Sequence, residues 1–248
     1  MIKFFRHIRN SLLEENKLSK YLLYAIGEIV LVVIGILIAL QINAWNQTKE
    51  DIKKEEKFLL EIKENLIEDL QKVDTLLLAN KRKLIRIDTA YHYLSLIDAQ
   101  PMMGRKFSYQ MPTITNLKLF VPTTVAFSNI TATGKIDLLR SDPLRKEISR
   151  YYSDNPLDGV QNQIKVTTQT LLDNVAHQMI NKTMMKAVTK RDFDVIPITE
   201  MKIHKDPKVL SGLFVLTNKT LEHNILLKAT KTEVEDLVAK IDAYLKKT

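Results

Sequence analysis

Residues Tyr21–Ile42, YLLYAIGEIVLVVIGILIALQI, form an apolar run interrupted by a single carboxylate, Glu28. As a helix, these 22 residues span about 33 Å, enough for a hydrocarbon core of about 30 Å. A secretory signal fits poorly. The basic leader is long, and Leu40-Gln41-Ile42-Asn43-Ala44 offers no pair of small residues at cleavage spacing. Tyr21 and Tyr24 at one end and Trp45 at the other match the aromatic belts of a membrane span. The expected organisation is a basic cytoplasmic leader over residues 1–20, a transmembrane helix over 21–43 and a helical extramembrane domain over 44–248.

Orientation rests on a small bias. Lys3, Arg6, Arg9, Lys17 and Lys20 precede the run, and Lys49, Lys53, Lys54 and Lys57 follow it. Acidic neighbours count for little in the positive-inside rule, and a short basic leader favours N-in, C-out. This places the larger part of the chain outside the cytoplasm. Absence of cysteine excludes a disulfide framework and thiol chemistry. The N-x-Thr sequons at Asn46, Asn129, Asn181 and Asn218 lack any other sign of a eukaryotic secretory context and read as chance.

Glu28 defines the one candidate contact face. At 100° per residue, Tyr21, Tyr24, Glu28, Gly35 and Ala39 fall near one line of the helix. Gly35 and Ala39 form a small-xxx-small pair that lets two membrane helices approach closely. A carboxyl on that face can hydrogen-bond across a homodimer or to a partner membrane protein. If the span is instead Ile29–Trp45, Glu28 lies at the headgroups and needs no partner.

From Lys49 to Ala99 neither proline nor glycine occurs, and apolar residues recur at heptad spacing. One row is Ile52, Leu59, Leu66, Val73, Ile87 and Leu94, with Asn80 as its polar member. The other is Leu70, Leu77, Leu84 and Tyr91. Alternating three- and four-residue steps predict a long helix packed against another. Phe58, Ile62, Ile67 and Leu78 widen the stripe, which favours a bundle over a two-stranded coil. Lys49, Glu56 and Lys63 interrupt the row descending from Glu28, Gly35 and Ile42, and predict a break or change of partner there. Paired carboxylates such as Glu55/Glu56 and Glu68/Asp69 read as a solvated helix face.

Pro101 ends the long helix. Asn116–Val121 is a candidate strand, Thr123–Thr133 a short helix closed by Gly134, and Pro143–Tyr152 a helix capped by Ser141 or Asp142. Leu157–Val188 is helical, Phe193–Ile198 a candidate edge strand, and Pro207–Lys247 a final helix. The expected fold is therefore mainly α: one transmembrane helix, a long amphipathic helix and an antiparallel helical bundle, with a short two-stranded β element.

Catalytic signals are weak. His7, His92, His177, His204 and His223 show no metal-ligand spacing, and each reads as a surface or partly packed histidine. Thr133-Gly134-Lys135 resembles the tail of a phosphate loop, but Asn129 and Ile136 occupy the positions of its first glycine and its hydroxyl residue. No cofactor, metal, catalytic residue or nucleic-acid partner is expected, and the bilayer is the expected partner. The net charge of +8 is spread along the chain. Its densest basic group, Arg140, Arg145, Lys146 and Arg150, would need one exposed face to bind a membrane surface or nucleic acid. An enzyme is the rival reading, and it requires a pocket with convergent titratable groups in residues 101–152.

The segment IKFFRHIRNSLLEENKLSKYLLYAIGEIVLVVIGILIALQINAWN closely resembles the opening of a family of bacterial single-pass membrane proteins classed as a domain of unknown function. Pro122–Tyr152 resembles that family's helix–Gly–helix element, while Gln47 departs from the acidic residue expected after Trp-Asn. The resemblance implies a bacterial cytoplasmic membrane and a single anchor. It carries no catalytic or ligand residue. With no output domain on the presumed cytoplasmic side, a partner-binding or scaffolding module is favoured over a signalling sensor.

Overall fold

A computed structural model describes residues 18–179, 190, 191 and 202–247. The chain divides into two compact units, Met1–Lys57 and Phe58–Thr248. Helix α1, Leu18–Leu96, contributes to both. Its backbone is helical throughout, so of the break or change of partner expected near Lys49, Glu56 and Lys63, no break occurs. The sequence there contains no helix breaker, and charged residues on an exposed face do not interrupt backbone hydrogen bonding. α1 ends where expected: Gln100 N–H closes the last turn onto Leu96 O at 2.8 Å, just before Pro101.

In the N-terminal unit, the described residues Leu22–Trp45 are almost all exposed, Glu28, Gly35 and Ala39 among them. Lys49 Nζ stands 3.6 Å above the Trp45 ring, and Lys54 pairs with Glu50 and Asp51. Ile52 is half-buried.

The second unit is organised by α1 and α7, Pro207–Leu245. Buried positions on α1 and the turn that closes it run Leu59, Ile62, Leu66, Asp69, Val73, Leu76, Asn80, Lys83, Ile87, Ala90, Leu94 and Ile97. Those on α7 run Val209, Leu213, Leu216, Thr220, His223, Leu227, Thr230, Val234, Leu237 and Ile241. Both lists alternate steps of three and four, the spacing that keeps one helical seam facing a partner. Lys63 meets Asp242, Asp74 Oδ1 meets Lys231 Nζ at 2.7 Å, and Asn80 meets Asn224 at 2.9 Å. Farther along, Tyr91 Oη donates to Leu210 O at 3.4 Å and Asp98 meets Lys205 at 2.8 Å. As one number climbs the other falls, so the two helices align antiparallel.

The remaining elements cover this pair in two groups. At the Leu59–Leu66 end lie α4, Val125–Ala132, and α5, Asp142–Ser153, burying Ile130, Leu139, Leu144, Ile148 and Tyr151. At the Ile87–Ile97 end lie α2, Met103–Ser108, α3, Met111–Ile114, and α6, Asp158–Met179. A smaller cluster of Val73, Leu76, Phe120, Leu157 and Leu227 joins them. α6 lies close to α7: a Cβ at Gly212 would stand 3.2 Å from Leu171 Cδ1. α7 begins at Pro207, with Asp206 Oδ1 accepting the Lys208 N–H at 2.8 Å.

Two local expectations change. Among the described residues no strand occurs, and Asn116–Val121 is irregular. Its backbone partner is a side chain, because the Gln161 carboxamide accepts Phe120 N–H and donates to Phe120 O at 3.2 Å. Residues 193–198, the other candidate strand, lie outside the described residues. Ser141 occupies the N-cap of α5 without a side-chain cap bond, and Asp142 is held instead by Arg145 Nη2 at 2.6 Å.

Gly134 does close α4. It adopts φ +66°, donates to Thr131 O at 3.0 Å, and positions Lys135 N–H 3.0 Å from Ile130 O. A Cβ there meets nothing within 4 Å, so substitution acts through backbone conformation alone. Gly134→Ala is expected to lower unfolding free energy by about 1–2 kcal/mol in a denaturant titration; an unchanged midpoint contradicts the cap assignment.

Candidate functional site

Two polar interruptions of an otherwise apolar seam stand out chemically. At the first, α1 places the Asp69 carboxylate at 0% exposure. Oδ1 accepts the Thr123 N–H at 2.9 Å and the Thr123 hydroxyl at 2.8 Å, while Oδ2 accepts Tyr151 Oη–H at 2.8 Å. Lys72, one turn on, stands 3.3 Å from Oδ1 and also donates to Val121 O and the Thr123 hydroxyl. A buried charge persists when paired and fully hydrogen-bonded, and Asp69 meets both conditions. The result ties the Val121–Thr123 loop and α5 to α1. Burial, followed by the Asp69 charge, pushes the Tyr151 phenol far above its ordinary range, so it remains a donor. Tyr152 stacks on Phe127 at 4.7 Å and meets Tyr151 edge-on.

Asp69 corrects the reading of Glu68/Asp69 as a solvated pair; Glu55 is buried as well. Outside the Asp69 node, an open groove is lined by Glu68, Gln71, Lys72, Thr75, Lys118 and Leu119. Glu68 and Lys72 there already pair at 3.2 Å.

The second interruption lies midway along the seam. Asn80 Nδ2 donates to Asn224 Oδ1 at 2.9 Å and stands 3.1 Å from His223 Nδ1. An amide nitrogen only donates, so Nδ1 accepts and the neutral ring carries its proton on Nε2. Nε2 is buried without a partner. Lys83, three residues after Asn80, is 6% exposed and has no hydrogen-bond or ion-pair partner among the described residues. Burial brings the Lys83 ammonium down to about 8. Burial first, and the Lys83 charge second, bring His223 down to about 4. His223, expected from sequence to be a surface or partly packed histidine, is thus a core residue.

Sequence periodicity misses Asp69 and Lys83 because charges interrupt the row through them. Ile62, Leu76, Ala90 and Ile97 mark it at multiples of seven, whereas Leu70, Leu77, Leu84 and Tyr91, one position along, are only half-buried. Asn80 therefore shares the seam with further polar members.

Among the expected site residues, Glu28, Gly35 and Ala39 lie on an exposed helix, and nothing approaches a Cβ built at Gly35 within 4 Å. The side chains of Tyr21 and Tyr24 lie outside the described residues. The apolar segment has a mean hydropathy of 2.6 with none of it buried. A helix of this kind near the N-terminus serves as a membrane span or a signal sequence. Of the basic group, Arg145 binds Asp137 and Asp142, and Arg150 meets Glu233 at 3.2 Å. No cluster of three or more metal-ligating side chains occurs among the described residues.

The chain is thus a mainly helical protein with one apolar helix long enough to cross a membrane. Residues 28–190 match a family of unknown function, DUF6090, and the chain belongs to that family. The match contains Asp69, Asn80, Lys83, Thr123 and Tyr151, and stops before α7. No curated protein and no solved structure matches the chain.

Tyr151→Phe is expected to cost about 1–3 kcal/mol by denaturant titration, the range for a bond to a buried charge. Asp69→Ala is expected to cost more, because it strands the buried Tyr151 hydroxyl and both half-buried Thr123 donors. Equal stability of both variants and the wild type contradicts a structural role for the node.

Proposed function

We propose that this chain is a single-pass protein of the bacterial cytoplasmic membrane whose extramembrane unit, an antiparallel helical bundle, binds a partner or scaffolds an envelope complex. The observation that carries this reading is the uncovered apolar segment of mean hydropathy 2.6. Water does not tolerate such a surface, and a bilayer covers it without requiring a second chain. The resemblance of the N-terminal segment to bacterial single-pass proteins supports the same reading. Basic residues before the span favour an N-in, C-out arrangement.

Within the membrane, Glu28, Gly35 and Ala39 offer a contact face for a second copy or a partner helix. In the extramembrane unit, long antiparallel helices with ion-paired outer faces suit docking along their length or a ligand between them. Such a module acts by assembly rather than by chemistry.

Two measurements test this. A reporter fused after Thr248 should read out on the extracytoplasmic side while the chain resists alkaline extraction from membranes; extraction into the soluble fraction contradicts the anchor. Intramembrane cross-linking should fall several-fold in Glu28→Leu and Gly35→Leu variants, and unchanged cross-linking contradicts the contact face.

A further inference from the structure

The Asn80–Lys83–His223 layer lacks acceptors. Asn80 points both amide hydrogens outward to His223 and Asn224, Lys83 carries a cation with no partner among the described residues, and His223 holds an unpaired Nε2–H. His223 is 1% exposed, and its one basic atom, Nδ1, is the atom that accepts from Asn80. A second proton has nowhere else to go. Placed on Nδ1, it faces the Asn80 N–H, and donor opposes donor. Turning the Asn80 amide over would answer it only if the half-buried Asn224 amide turned with it, since the Asn80 oxygen would otherwise face Asn224 Oδ1.

We propose that this layer is an acid-sensitive latch: protonation of His223 at Nδ1 breaks its bond to Asn80 and loosens the α1–α7 seam at its midpoint. The charged groups around the ring offer no relief. Lys83 on α1 acts on it and repels the imidazolium, and no carboxylate of α1, α6 or α7 among the described residues offsets that repulsion. Among the neighbouring seam residues Leu76, Ile87, Leu216 and Leu227 are apolar, and the uncharged Thr220 hydroxyl donates to Leu216 O at 2.7 Å. The Leu59–Leu66 end of the seam, by contrast, contains no histidine, whereas at the other end His204 Nε2 stands 2.8 Å from Asp98 Oδ1.

The folded ring binds its proton less readily than a solvated one, so no acid effect exists above the ordinary value of 6.5. Stability then falls as pH drops toward about 4, where the loss is complete. At about pH 5 the seam-opening equilibrium should rise by up to about 30-fold.

The test uses the full chain in detergent micelles, with amide hydrogen exchange corrected for its intrinsic pH dependence. Between about pH 7.5 and pH 5, residues 76–87 and 216–227 should lose protection by that factor, while residues 59–66 and 234–241 hold theirs. His223→Gln should abolish the acid response, and Lys83→Met should weaken it by removing the repelling charge. A response as large in His223→Gln as in the wild type, or one uniform along the seam, overturns the proposal. If His223→Gln fails to fold, ring-labelled NMR of the wild type decides. One of the five histidines should remain neutral at about pH 5, and five rings titrating near the ordinary value overturn the latch.

Discussion

The second unit, Phe58–Thr248, depends on the alternation of three- and four-residue steps along both α1 and α7. That spacing keeps one stripe of each helix turned toward the other over many turns, so each contact aligns the next. Antiparallel alignment then brings Leu59–Leu66 beside Val234–Ile241, and Ile87–Ile97 beside Val209–Leu216. The shorter elements have little independent stability, since helices of four to twelve residues are marginal alone in water. They hold their form by completing the apolar layers at the two ends of the pair.

Two kinds of polar residue interrupt this seam, and their surroundings differ. Asp69 is saturated with donors and neutralised by Lys72, which makes it a fastening point for the loop before α4 and for α5. Lys83 and His223 are buried without a counter-charge among the described residues, and His223 Nε2 has no hydrogen-bond partner there. A core of this size has apolar alternatives at both positions. Buried polar groups of the second kind weaken a seam while fixing its register, and they make its stability respond to conditions.

Much of this architecture was legible in the sequence. Leu59, Leu66, Val73, Ile87 and Leu94 announced one half of the seam, Pro101 its end, and Gly134 a left-handed cap. The other half was obscured because Asp69 and Lys83 occupy apolar positions, while the neighbouring Leu70, Leu77, Leu84 and Tyr91 form a clean apolar row on the flank. Hydropathy alone cannot tell a charged seam residue from a charged surface one; that depends on Thr123 and Tyr151, more than fifty residues away. Asn116–Val121 had the composition of a strand, yet Gln161 satisfies Phe120 as a neighbouring strand would. His223 was read by residue type, whereas its place at seven-residue spacing from Leu216 and Thr230 was the better signal. The apolar run at Tyr21–Ile42 needed no tertiary information, because its length and composition are local properties.

The central claim is that α1 and α7 pair antiparallel in one register, and cysteine cross-linking tests it most directly. The natural chain has no cysteine, so introduced pairs report without background. Cysteines replacing Lys63 and Asp242, Asp74 and Lys231, or Asp98 and Lys205 should each close an intramolecular link with a short thiol reagent. A mismatched pair replacing Lys63 and Lys205 should not. Linking of the mismatched pair, or failure of all three matched pairs in a folded chain, would contradict the register on which the fold, the Asp69 node and the His223 layer all depend.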